Sequence, residues 1–216
     1  GIDRAQPYLV YEFVDGLTLS DWLSARTCSP ALAARIVRQL AEALQHAHSE
    51  QIVHRDIKPS NIMVIPEAME AAATSLTHST ASTAARRSKR DAVGNASSAG
   101  SATKSAGESQ LVRIMDFGLA RRDASSDATM TTEGQILGTP AYMSPEQARG
   151  ASHSVDARAD QYSLGVVLYE LLTGSLPFRG NLRMIIHQAI HDDPVAPRRM
   201  NDTIPRDLET ICLKAL

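Results

Sequence analysis

Apolar residues recur every three or four positions between Pro30 and Ser49, at Ile36, Val37, Leu40, Ala41, Leu44 and Ala47. That spacing predicts a long helix with one buried face, and Pro30 suits its first turn. A shorter amphipathic segment, Leu17 to Ala25, carries Leu19, Trp22 and Leu23 on one side. From Ala159 to Thr173 the pattern changes, because Leu164, Val166, Val167, Leu168, Leu171 and Leu172 cover nearly the whole circumference of a helix. A helix that is apolar all round belongs in a core. Gly174 and Pro177 mark its end. Arg183 to His191 and Arg206 to Leu216 read as two further helices. Strand signals are fewer: the β-branched and aromatic run Tyr8 to Val14, closed by the turn pair Asp15-Gly16, then Ile62 to Ile65 and Leu111 to Met115. The predicted class is α+β, with a few strands in a largely helical body.

Between the last two strands, from about residue 67 to 110, Ala, Ser and Thr make up more than half of the positions. Such a composition offers little to bury and predicts a disordered insertion. Its basic cluster Arg86-Arg87-Ser88-Lys89-Arg90 reads as solvated, with a docking or phosphorylation site as the alternative. Arg121 to Ile136 is rich in Thr, Ser and Asp and reads as a mobile loop.

Composition narrows the function classes. The formal net charge of −2 gives no basic bias, so nucleic acid is not the expected partner. The two cysteines, Cys28 and Cys212, lie far apart with no metal-ligand spacing and read as thiols in a reducing compartment. No run approaches the roughly 20 apolar residues of a membrane span, and no leader-like segment opens the chain. A soluble, cytoplasmic location is expected, with any membrane anchor outside these residues.

The richest chemistry lies in His54-Arg55-Asp56-Ile57-Lys58-Pro59-Ser60-Asn61. Within eight residues stand an acid able to receive a hydroxyl proton, a cation able to neutralise a phosphoryl group, and an amide able to ligate a metal. Phosphoryl transfer asks for that combination, because the protein contributes mainly positioning and charge stabilisation. A lone Asp56 would as readily cap a helix or pair with Arg55, but Lys58 and Asn61 have no part in that reading. Asp116, in Asp116-Phe117-Gly118, directly follows the second of the two strands, while Asn61 directly precedes the first. If the strands pair as a hairpin, Asn61 and Asp116 reach the same end. One carboxylate and one amide oxygen suit Mg²⁺, which completes its shell with water and phosphate.

These motifs, with Ser144-Pro145-Glu146 further on, resemble the signature set of the protein kinase family, in its eukaryotic-like (Hanks-type) serine/threonine branch found in bacteria. The resemblance covers everything outside the insertion. It implies the mainly helical C-terminal lobe of a kinase, with a short β-hairpin carrying the catalytic motifs. Residues 1–16 would be the hinge strand and linker, and 17–216 the lobe itself. It further implies that Asp56 accepts or orients the substrate proton, that Lys58 steadies the transferred group, and that Asn61 and Asp116 hold Mg²⁺, with Mn²⁺ an alternative. ATP would lie against Tyr11 as gatekeeper, the backbone of Glu12 and Val14, and the side chain of Met63. Lys58-Pro59 after Asp56, and Gly138-Thr139-Pro140-Ala141-Tyr142, resemble the serine/threonine-specific pattern, with Thr139 hydrogen-bonding towards Asp56 and Lys58. Arg55 would pair with a phosphate on Thr131 or Thr132. His54, Phe117, Gly118, Glu146 and Asp160 would be structural supports, Asp160 bracing the backbone of His54 and Arg55. Protein substrates are the implied partners, with a second copy of the chain for autophosphorylation.

The sequence departs from the family pattern at its ends. The glycine-rich loop and its lysine, and the arginine that would pair with Glu146, are not among these residues, so a lobe fragment inactive by itself is expected. Two rival readings remain at this point: a noncatalytic kinase-like scaffold, and a small-molecule phosphotransferase. The platform-like stretch from Arg121 to Glu146 speaks against the second.

Overall fold

The computed structural model describes residues 13–72, 110–117, 140–149 and 155–216, and the backbone alone of 2–3 and 6–7. The 20-residue helix α2 (Pro30–Ser49) is its longest element, started by Ser29, whose hydroxyl accepts from Leu32 N, and by Pro30 in the first turn. Its buried stripe is Leu32, Ala33, Ile36, Leu40, Leu44 and Ala47. Against it packs α5 (Ala157–Thr173). This helix is buried on nearly all sides and ends at Gly174, in the left-handed region at φ 67°. α5 also packs against α7 (Arg206–Ala215), so α5 is the central helix of the body.

Gly165 sets the distance between α5 and α7. A methyl group there would lie 2.8 Å from the Ala215 Cβ, closer than side-chain carbons approach. Gly165→Ala is therefore expected to force the helices apart and cost about 1–3 kcal/mol. A chemical-denaturation midpoint equal to that of the wild type would contradict this.

Four further α-helices lie among the described residues. They are α1 (Leu19–Ala25), capped by Thr18, α3 (residues 66–72), α4 (Pro145–Ala148) and α6 (Leu182–His191), capped by Asn181. β1 (Ile2–Asp3) and β2 (Gln6–Pro7) form a small antiparallel pair. β3 (Leu17–Thr18), β4 (Ile62–Val64) and β5 (Val112–Ile114) form a second antiparallel sheet in that order. Thr18 stands opposite Met63, and Met63 opposite Arg113. The architecture is α+β, as the hydrophobic pattern predicts.

Three features depart from the sequence-based expectation. β3 is an extra strand, two residues long and continuous with α1, too short for alternation to show. It reaches β4 because Gly16 lacks a side chain: a Cβ there would sit 2.3 Å from the Val64 carbonyl oxygen. The expected strand Tyr8 to Val14 falls largely outside the described residues, and Phe13 and Val14 are not in a strand. The expected insertion begins too early, since α3 is helical and buries Met69 and Ala72 in the core. Its Ala-rich composition reads as low complexity, yet Ala favours helix and Pro66 suits a helix start. The rest of the insertion, residues 73–109, and the loop at 121–136 lie outside the described residues.

Burial pushes the Cys28 and Cys212 thiols and the Tyr162 phenol each up to about 12, with the Glu209 charge adding at Cys212 and the Glu146 charge at Tyr162. Unfolded thiols titrate near about 8.5 and phenols near about 10. The folded chain thus retains protons that the unfolded chain has released, and its stability is expected to fall as pH rises from about 9 to 12. Thermal melts across that range check this. Tyr162→Phe should flatten the upper part of the decline, and a melting temperature constant with pH would contradict the account.

Candidate active site

The loop between α2 and β4 carries His54 to Lys58 in a conformation that local preferences alone would not hold. Arg55 has φ 68°, a left-handed value that costs a non-glycine residue roughly 1–2 kcal/mol. Asp160, wholly buried in the first turn of α5, holds it there. Its Oδ1 accepts from Arg55 N at 2.7 Å, and its Oδ2 from His54 N at 2.8 Å and from His48 Nε2 at 2.8 Å. A buried carboxylate needs such donors, and here it finds two on the loop and one on α2.

His54 ties the same loop to the end of β5. Its Nδ1 accepts from Asp56 N at 3.2 Å, which leaves the hydrogen on Nε2, and Nε2 donates to the Met115 carbonyl at 2.8 Å. Its ring and that of Phe117 meet in a T-shaped arrangement, with centroids 4.8 Å apart. A third brace comes from α4, where Gln147 Nε2 donates to the Arg55 carbonyl at 2.8 Å. Gln147 also completes a capping box with the buried Ser144. The Arg55 guanidinium donates to the Val155 carbonyl at 3.3 Å.

Within this frame the polar groups converge on Asp56. Asn61, at the end of a 3₁₀ turn (Pro59–Asn61), donates from Nδ2 to both the Asp56 backbone carbonyl and its Oδ2, each at 2.9 Å. Lys58 Nζ lies 2.7 Å from the same Oδ2. The second carboxylate oxygen of Asp56 has no partner among the described residues, which leaves it able to accept from a hydroxyl. With its amide nitrogen committed, Asn61 turns Oδ1 away from Asp56, and that oxygen also has no partner among the described residues.

The strand pair carries Asp116 to the same end as Asn61. Ile62 stands opposite Ile114, Met115 N donates to the Asn61 carbonyl at 2.9 Å, and Asp116 follows immediately in an exposed position at φ 60°. An amide oxygen and a carboxylate are hard donors of the kind Mg²⁺ takes when phosphate and water complete its shell. Among the described residues no group of three or more His, Cys, Asp or Glu side chains could hold a metal by itself.

The other anticipated residues are distributed as follows. Met63 is half-buried on the face of β4 away from the core, with its methyl against Gly16, and Val14 is half-buried just before β3. Glu146 is half-buried in α4, close enough for its charge to raise the Tyr162 phenol. Tyr11, Glu12, Gly118, Thr131, Thr132 and Thr139 lie outside the described residues. Sequence reasoning missed His48 and Gln147. His48 gives no local signal, whereas Ser144-Pro145-Glu146-Gln147 matches a capping box and could have been found. No helix among the described residues is long and apolar enough to cross a membrane.

Comparison with known proteins supplies the family. The model for the protein kinase domain matches residues 2–212. The chain is 36% identical over 212 residues to the serine/threonine-protein kinase PknB of Mycobacterium tuberculosis, covering 97% of this chain and 27% of that protein. It is 34% identical over 210 residues to the serine/threonine-protein kinase PrkC of Bacillus subtilis, covering 96% of this chain and 25% of that one. It thus spans about a quarter of the length of these relatives. Among solved structures, Rad53 residues 1–466 in complex with AMP-PNP superposes with a TM-score of 0.58 at 24% identity, covering 95% of this chain and 41% of that one, which shows the same fold. The chain belongs to the protein kinase family, in its bacterial Hanks-type serine/threonine branch.

Proposed function

We propose that the protein transfers the γ-phosphoryl group of ATP to serine and threonine hydroxyls of other proteins. One observation carries this reading: Asp56 is gripped through Oδ2 by Asn61 and Lys58, while its other oxygen remains open. The acceptor hydroxyl donates its proton to that open oxygen. Its own oxygen forms a bond to the γ-phosphorus as the bond from phosphorus to the bridging oxygen breaks, and ADP leaves with the electron pair. Lys58, already beside Asp56, balances the charge of the group in transit. Mg²⁺, or Mn²⁺ in its place, would be held by Asn61 Oδ1 and Asp116 and would neutralise the phosphate oxygens. The adenine would rest between Met63 and the backbone of Glu12 and Val14, beside Tyr11. Thr139 would orient Asp56 and Lys58 towards an aliphatic hydroxyl.

The reading is tested by incubating the complete protein with MgATP and arrays of serine- and threonine-containing peptides alongside small-molecule alcohols. Peptide phosphorylation is expected, and phosphorylation of small molecules alone would refute it.

Regulation belongs to the same proposal. Arg55, held by its backbone to α4 and α5, is suited to receive a phosphate on Thr131 or Thr132, which would add nearly two negative charges and order the segment. Mass spectrometry of the complete protein after MgATP treatment should find phosphate between Ala124 and Gly138. Its absence from that whole interval would end the regulatory reading.

A further inference from the structure

Helix α6 ends in a pair of histidines that neither the phosphoryl-transfer chemistry nor the core uses. His187 and His191 stand four positions apart, hence on one face of the helix a single turn from each other, and both are exposed. Their ring centroids lie 4.8 Å apart with the planes inclined at 48°, so the rings are neighbours without being stacked.

An ion shared by two imidazoles sets a geometric condition. A zinc–nitrogen bond is about 2.0–2.1 Å and a ring nitrogen stands about 1.1 Å from its centroid, so the ion lies about 3.2 Å from each centroid. Bond angles between about 90° for tetragonal and about 110° for tetrahedral coordination then put the two centroids roughly 4.5–5.2 Å apart. The observed separation falls inside that interval.

The charges at this end of α6 favour a cation. His191 is the last helical residue, where the unpaired carbonyls make the negative pole of the helix. Asp192 and Asp193 follow directly and are exposed, whereas the one Lys or Arg of α6, Arg183, stands at the opposite end. Imidazole selects the kind of ion, because copper, nickel and zinc accept nitrogen ligands while Mg²⁺ takes oxygen. Among the described residues no group of three His, Cys, Asp or Glu side chains forms a metal cage, so water fills the remaining positions.

We propose that His187 and His191 chelate a divalent transition-metal cation, Cu²⁺ most tightly and Zn²⁺ or Ni²⁺ less so, at a site separate from the oxygen donors Asn61 and Asp116. The order follows the general ranking of these ions at nitrogen sites. Chelation requires both residues on successive helical turns, so the ion binds the folded chain and clasps the last turn of α6. That helix packs against α4 and the 3₁₀ turn Pro140–Tyr142, so the clasp would stiffen a neighbour of the elements around the catalytic loop. The assignment stands independently of the kinase reading.

The test is calorimetric titration of the complete protein, stripped of metal and free of nucleotide, with Cu²⁺, Zn²⁺ and Mg²⁺ in turn. His187→Gln and His191→Gln are titrated beside the wild type. Loss of a partner that merely orients a metal ligand costs about 10–100-fold in affinity, so loss of one of two ligands should weaken Cu²⁺ and Zn²⁺ binding at least about tenfold in either variant. Mg²⁺ binding should be the same in all three proteins. Cu²⁺ should raise the melting temperature of the wild type more than that of either variant, and all three should melt together without metal, because both rings are exposed. Equal Cu²⁺ affinity in the three proteins would overturn the site and leave the pair as an aromatic contact only. Weakening in one variant alone would also overturn it, since that histidine would then bind without its neighbour.

Discussion

Asp56→Asn in the complete protein is expected to lower kcat by about a hundredfold to ten-thousandfold, the range in which a placed general acid or base contributes. The substitution keeps the volume and retains an oxygen that Asn61 Nδ2 or Lys58 Nζ can still approach. It removes the proposed proton acceptor and the negative charge that holds Lys58. Because Asp56 is partly exposed and its backbone is fixed by His54 and Asn61, the fold should survive. The expected signature is therefore a fall in kcat with little change in the KM for ATP or in melting temperature. Steady-state kinetics separate the two quantities. A variant with more than half of the wild-type kcat would remove Asp56 from its role.

Asp160→Ala is expected to produce the largest loss of stability. Three donors point at one buried carboxylate, and deleting it leaves the His54 and Arg55 amides buried without that partner. Breaking such a site costs about 3–5 kcal/mol, a large part of the roughly 5–15 kcal/mol that holds a domain folded. The cost has a second component, since Arg55 would lose what keeps it at φ 68°. The loop should then relax and Asp56 drift from Asn61, so activity should fall in the fraction that still folds. Denaturant titration and single-turnover kinetics on the same preparation measure both. Asp160→Asn should recover part of the stability, because its amide oxygen can still accept from one of the two backbone donors. Equal stability of Asp160→Ala and the wild type would show that the loop is held by other means.

The parts of the fold legible in the sequence were those in which one face or one whole helix is apolar over several turns. α2 and α5 are of this kind, and their starts and ends follow from Ser29-Pro30 and Gly174. β3 was not legible, because two residues cannot display a period and its pairing depends on the missing side chain of Gly16. α3 was hidden by composition, since Ala-rich sequence is common to helices and to unstructured tracts.

At the candidate site, the residue types of Asp56, Lys58, Asn61 and Asp116 announced phosphate chemistry, and the strand register brings the ends that carry Asn61 and Asp116 together. Less legible were the contacts that make the loop rigid. His48 reaches Asp160 across 112 positions, and Gln147 reaches the Arg55 carbonyl across 92. Such long-range pairings depend on how α2, α4 and α5 pack and leave no local trace. The hydrogen on His54 Nε2 likewise follows only from seeing Asp56 N on one side of the ring and the Met115 carbonyl on the other.

In the proposed reaction Asp56, oriented by Asn61 and Lys58, directs phosphoryl transfer to an aliphatic hydroxyl. The most direct measurement is phosphoamino-acid analysis of protein labelled by the complete enzyme with γ-labelled ATP and Mg²⁺, run beside Asp56→Asn. The account predicts label on phosphoserine and phosphothreonine with the wild type and next to none with the variant. Label on phosphotyrosine, or equal labelling by the two proteins, would contradict it.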